Sequence, residues 1–177
     1  MKLLSLDPSS SAIGYAIFND RRLAEMGRLT PDKSAGSVLS RTLSLRRQLL
    51  EILAEQEPDI ILAEAMIEKQ YTRDPRKTTS LPPCAWSMGV IFGTCLTIVG
   101  FRPIEKPRCA VAAVGNQSWT RGNASSKDKK KERKVLTKAQ YPQYDPDIDP
   151  DGDMADAIML ANWWLDAMEL KERMAKL

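Results

Sequence analysis

Two apolar runs in the chain end on acids: "LLSLD" closes on Asp7 and "IILAE" closes on Glu64. A third stretch, "DGDMADAIMLA", sets Asp153 and Asp156 three residues apart. On a helix that spacing points both carboxylates to one side, where like charges disfavour each other unless a cation or a base stands between them. No histidine occurs anywhere, which removes histidine general bases and histidine-bearing zinc sites. Cys84, Cys95 and Cys109 lack ligand spacing and are too few for a four-cysteine zinc site. Four carboxylates without histidine form a hard, oxygen-only donor set, suited to Mg2+ with Mn2+ as its substitute. Two such ions per site, about 4 Å apart, would activate water and stabilise the leaving oxygen in phosphodiester hydrolysis. Each acid also has a plainer reading. Asp7 precedes proline and serines and suits a turn, and Glu64 suits a strand reaching solvent. Asp153 and Asp156 suit the first turn of a helix, whose dipole favours negative charge.

The metal reading requires that these positions meet. Lys2 to Leu6 reads as a strand, "IGYAIFN" from Ile13 as a second, and "RLAEMGRLTP" as a weaker third, so the chain opens as a hairpin or meander. Val38 to Ala54 carries apolar residues at positions 38, 39, 43, 45, 49, 50, 52 and 53, an approximate helical face. Ile60 to Ala63 is a short apolar strand of the kind buried on both sides. If strands 2–6 and 60–63 lie side by side and parallel, their C-terminal ends put Asp7 and Glu64 on one rim, where open α/β sheets gather ligands. A final amphipathic helix, with Asp151 as its cap, would bring Asp153 and Asp156 to the same edge. Between these, residues 66–83 are polar and loop-like, "RPIEKP" suits a short edge strand, and Cys109 to Val114 fits helix or strand equally. The expected class is α/β, a mixed sheet with helical cover.

At 177 residues the chain is the size of one domain able to bury a real core. Its net charge of +3 is modest, but the distribution is uneven. Segment 121–138 carries Arg121, Lys127, Lys129, Lys130, Lys131, Arg133, Lys134 and Lys138 against Asp128 and Glu132. The loop 145–153 that follows is acidic and proline-bearing. One block needs anions or open water, the other cations or open water. The uncharged stretch "WSMGVIFGTCLTIVGF" falls short of the ~20 residues of a membrane span. It reads as a buried core or interface helix. An odd cysteine number without pairing motifs and the absence of a secretory signal point to a reduced, cytoplasmic setting.

Taken together, the motifs resemble the RuvC family of Holliday junction resolvases, within the RNase H-like nuclease superfamily. "LDPSSSAIGYAIF" is similar to the family's opening Asp-Pro-Gly-Ser…Gly-Tyr strand motif through Asp7, Pro8, Ser10, Gly14 and Tyr15, with Ser9 standing in place of glycine. "ILAEAMI" is similar to the strand that ends in the second acid, and "DMADAIMLA" to the closing helix. The resemblance implies an RNase H-like mixed five-stranded sheet flanked by helices. It assigns Asp7, Glu64, Asp153 and Asp156 to catalysis and metal binding. It further implies a homodimer that cuts two like-polarity strands of a four-way DNA junction symmetrically, leaving 5′-phosphate and 3′-hydroxyl nicks.

Beside such a centre the basic segment is expected to contact DNA through Arg121, Lys127, Lys129, Lys130, Lys131, Arg133 and Lys134. Lys127, Lys130 and Lys134 are the candidates for the basic residue beside the scissile phosphate. Trp119 precedes the block and either stacks on a nucleotide or anchors the segment. Tyr71, flanked by Arg73, Arg76 and Lys77, is a candidate wedge at the junction centre. The uncharged helix is the dimer candidate, with Met88, Phe92 and Cys95 or Leu96 for contact and Gly89 and Gly93 for close approach. Two other readings share the same acids: an RNase H-like nuclease acting on flaps, forks or RNA–DNA hybrids, and a branched-DNA binder that does not cut.

Overall fold

The computed structural model of the protein describes residues 1–65, 81–101, 109–115 and 127–176; within residues 81–85, 98–101 and 127–129 it describes the backbone only. Five strands form one mixed sheet: β1 (Lys2–Pro8), β2 (Ile13–Asn19), β3 (Arg22–Leu29), β4 (Ile60–Ala65) and β5 (Ala110–Gly115). Their order is β3-β2-β1-β4-β5. The β1–β2 and β2–β3 pairs are antiparallel, while β1–β4 and β4–β5 are parallel. Among the described residues four helices accompany the sheet: α1 (Val38–Gln56), α2 (Leu81–Phe101), α3 (Lys127–Gln140) and α4 (Asp153–Met174). This is the RNase H-like α/β architecture that the motifs imply.

Strand alternation divides the core in two. Leu4, Leu6, Ile13, Ile17, Ile61 and Ala63 face one way, against Leu45, Leu49 and Leu53 of α1 and Ile91 and Cys95 of α2. Leu3, Ala16, Phe18 and Leu62 face the other, against Met154, Ile158, Ala161 and Leu165 of α4. The undecided segment 109–114 is strand, because Ala110 to Gly115 pairs in parallel with β4 along its whole length. A short apolar run has no period of its own, so the neighbouring strand sets its state.

Helix α1 begins at a capping box, in which Ser37 accepts the Ser40 amide and Ser40 returns a bond to the Ser37 amide. Its buried stripe is Thr42, Ser44, Leu45, Leu49 and Leu53. Leu39 and Leu43, read as part of the apolar face, are instead exposed. The inner turn of α1 meets α2 through a buried bond between the Thr42 and Ser87 hydroxyls, so polar residues take those places. The cap of α4 also differs from expectation. Gly152, at φ 79°, is the N-cap residue and offers no side chain. The buried Asp149 carboxylate accepts the amides of Met154 and Ala155 instead, and the Tyr144 hydroxyl donates to it at 2.8 Å. Asp151 is turned away to an ion pair with Arg28. The segment "RPIEKP" lies outside the described residues.

Candidate active site

One level across the sheet collects the chemistry. Asp7 pairs with Gly14 across β1–β2, and Gly14 pairs with Arg28 across β2–β3. The parallel β1–β4 register runs from Leu3 opposite Ile60 to Leu6 opposite Ala63, so Asp7 and Glu64 are the next residues of their strands at that level. Alternation places all four positions on the α4 side: Asp7 follows Leu3 and Ser5, Glu64 follows Leu62, Gly14 precedes Ala16, and Arg28 follows Met26. The row therefore reads Glu64, Asp7, Gly14, Arg28, with the first turn of α4 laid over it.

Gly14 is what lets that helix approach. A Cβ there would overlap the Asp153 carbonyl and stand 2.8 Å from the Met154 amide nitrogen. The glycine thus acts as a socket for the helix terminus, a close-approach role that only this residue fills. Within α4, Asp153 and Asp156 are 8% and 5% exposed, unusual burial for two acids in one turn. Ser9, the departure from the family's loop, keeps negative φ. Its hydroxyl accepts the Ala12 amide and donates to the Ala12 carbonyl, both at 3.0 Å. A side-chain turn replaces the glycine one.

The electrostatics follow from this crowding. The Asp7 carboxyl is pushed well above the usual carboxylate range, first by desolvation and then by the charges of Glu64, Asp156 and Asp153, with Lys130 opposing. Asp156 is also raised, by burial, although Arg133 and Lys130 pull the other way. Three cations answer the acids. Arg28 Nε donates to Asp153 Oδ2 at 2.8 Å, and its Nη2 donates to Asp151 at 2.6 Å. Arg133 grips Asp156 through Nε and Nη2. Lys130 Nζ stands 3.9 Å from Asp153 Oδ1 and 3.7 Å from Asp156 Oδ2 and donates to the Asp151 carbonyl.

Among the described residues, no group of three or more acids or cysteines already forms a metal-ligating cage. The oxygens of Asp153 and Asp156 are turned onto arginine and lysine instead. The donor set still fits a hard divalent cation: it is all oxygen, it is partly desolvated, and the Asp7 carboxyl is raised by burial first and then by the neighbouring acids. Lys134 packs beside Gly152, and Lys131 lies exposed on α3. Tyr71, Arg73, Arg76, Lys77, Trp119 and Arg121 lie outside the described residues, as do the side chains of Lys127 and Lys129. Trp163 and Trp164 pack against the α4-side core, as expected of core tryptophans.

Sequence reading missed Arg28 and Asp149. Arg28 sits in a partly exposed edge strand, where a charge is unremarkable. Its one signal is an inward phase two residues after Met26. Asp149 was hidden among six aspartates within 145–156.

The basic helix does meet the acids, and the uncharged helix does leave a face open. Met88 and Cys95 are buried in the chain's own core, and Phe92 packs against it. The exposed side of α2 carries Trp86, Gly89, Gly93 and Leu96, and among the described residues nothing lies within 4 Å of a Cβ at either glycine. Among the described residues no helix is long and apolar enough to cross a membrane.

By sequence, no family profile and no curated protein matches the chain. By structure it is similar to T. thermophilus RuvC in complex with Holliday junction substrate, at TM-score 0.63 and 15% identity, covering 96% of each chain. It is also similar to the Fowlpox virus resolvase in complex with substrate Holliday junction DNA, at TM-score 0.59 and 16% identity over 95% of this chain and 99% of that one. A third likeness is to the yeast mitochondrial Holliday junction resolvase Ydc2, at 0.58 and 14%, over 92% of this chain and 77% of that one. At such identities the shared property is the fold, an RNase H-like mixed five-stranded sheet flanked by helices.

Proposed function

We propose that the protein is a divalent-metal-dependent endonuclease that resolves four-way DNA junctions by paired, symmetric phosphodiester hydrolysis. The observation that carries the reading is the convergence of acids from three distant segments on one level of the sheet, where burial and then the neighbouring acids raise the Asp7 carboxyl. Structural charge caps do not need such an arrangement. Asp7, Glu64, Asp153 and Asp156 would hold Mg2+ or Mn2+, two ions per site, and such ions when bound activate water and stabilise the leaving oxygen. The chain's own groups do the rest. Lys130 and Arg133 project from α3 into the acid cluster, where they can take up phosphate charge as cations fill the acids. The exposed lysines beyond them continue a positive track for the strand. The deciding experiment is Mg2+-dependent cleavage of a synthetic four-way junction with both strand pairs labelled. Two symmetric, ligatable nicks support junction resolution; trimming of flaps or hybrids with an intact junction would replace it with the wider nuclease reading.

Lysines of α3 that meet phosphates position DNA without reading its bases. Substituting Lys131 and Lys134 with glutamine should weaken junction binding for every sequence alike. The slope of log affinity against log salt should flatten by about one for each phosphate left without its lysine, as seen by fluorescence anisotropy across salt concentrations. An unchanged slope would remove these lysines from the DNA surface.

A junction has approximate two-fold symmetry, and a two-fold dimer is its geometric partner. The open face of α2 supports that assembly, since Trp86 and Leu96 flank two glycines that let a second helix approach. Leu96→Asp should convert the dimer to monomer in sedimentation velocity and abolish paired nicking, while leaving the monomer folded. Persistence of a dimer would place the interface elsewhere.

A further inference from the structure

We propose that Arg28 is a positioning residue that sets Asp153 for divalent-cation binding, an inference that rests on the acid cluster being the metal site. Arg28 ends the row across the sheet, one strand beyond Gly14 and two beyond Asp7. Its side chain is 21% exposed and holds two carboxylates at once, Asp153 through Nε and Asp151 through Nη2. The hold on Asp153 is selective by atom. Oδ2 is taken by Arg28, while Oδ1 is the oxygen nearer Lys130, whose ammonium also approaches Asp156. Arg28 therefore keeps one oxygen out of the cluster and leaves the other available to it.

The geometry depends on a fork. A guanidinium presents donors in a fixed plane and can bind one carboxylate through Nε and another through Nη2, whereas an ammonium is a rotating point charge on a flexible stem. The exposed Asp151 braces the far side of the fork, so the arginine is held from both ends. With its carboxylate fixed in advance, Asp153 loses less freedom on capturing a cation. Partners of this outer kind are worth about 10–100-fold in metal affinity or activity. Opposing this, the positive charge of Arg28 also repels a divalent ion. A substitution that keeps the charge and removes the fork separates the two effects.

Arg28→Lys is that substitution. Mn2+ binding is followed by electron paramagnetic resonance on the full chain without DNA, with Asp7→Asn measured alongside. The expected result is at least about tenfold weaker Mn2+ binding by Arg28→Lys, with a urea midpoint showing that the protein remains folded. Equal or tighter binding overturns the positioning role and leaves Arg28 as a countercharge only. If Arg28→Lys does not fold, Arg28→Ala carries the test with added methylguanidinium: restored Mn2+ affinity supports the role, and no restoration overturns it. The Asp7→Asn arm keeps the two ideas apart. Loss of Mn2+ there upholds the metal site whatever Arg28 does, while undiminished Mn2+ binding removes the site reading itself.

Discussion

Asp7→Asn should abolish Mg2+-dependent strand cleavage and leave junction affinity at least as high as the parent's, since a negative charge is taken from beside a polyanion. The loss should span several orders of magnitude, each tenfold being about 1.4 kcal/mol of barrier. The same variant should be more stable than the parent when no divalent ion is present. In the folded protein the Asp7 carboxyl is raised well above its ordinary value, by burial and then by Glu64, Asp156 and Asp153. A raised acid favours the fold while protonated. Its contribution is fully present below the unfolded value of about 3.9 and is lost as pH climbs through the raised folded value. At neutral pH, above the unfolded value, the raised Asp7 carboxyl therefore costs the parent stability that asparagine does not lose. The melting temperature of Asp7→Asn should exceed the parent's at pH 7, and the gap should close near pH 4. Adding Mg2+ should raise the parent's melting temperature and leave the variant's unmoved. A variant that cuts at the parent's rate would end the active-site assignment.

Gly14→Ala should be strongly damaging for a single added methyl. The new Cβ meets backbone, the Asp153 carbonyl and the Met154 amide, rather than a side chain that could swing aside. Helix α4 must lift from the sheet, and overpacking of this kind costs about 1–3 kcal/mol, occasionally more. The functional effect should exceed the loss of stability, because the displaced turn is the one bearing Asp153 and Asp156. Urea denaturation gives the first quantity, and Mn2+ affinity together with junction cleavage gives the second. Gly36→Ala is the matched control: nothing lies within 4 Å of a Cβ there and its φ needs no glycine. It should leave stability and metal binding as they were. A Gly14→Ala protein as stable and active as this control would show that the helix does not depend on the socket.

The legibility of the site was uneven for physical reasons. Asp7 and Glu64 could be found because each ends an apolar run, and parallel pairing of those runs is a natural consequence of the strand, hairpin, helix, strand order. Asp153 and Asp156 could be found from helical spacing. Arg28 could not, because its role depends on two antiparallel registers placing it level with Asp7. Nothing in the composition of an edge strand reports register. The cap of α4 failed for a related reason. Asp149, Asp151 and Asp153 are chemically identical in a loop, and only the fold separates the buried acceptor, the braced surface acid and the member of the acid cluster. In α2 the glycines marked the open face, whereas Met88 and Cys95 turned inward to the chain's own core.

The placement of α4 has a consequence for synthesis on the ribosome. Asp7 and Glu64 emerge early, but their partners arrive at residues 153 and 156 of 177, on the helix that also roofs one face of the sheet. A nascent or prematurely terminated chain lacking that helix has two of the four acids on an unroofed sheet face, so the acid cluster is completed only when the last helix is made.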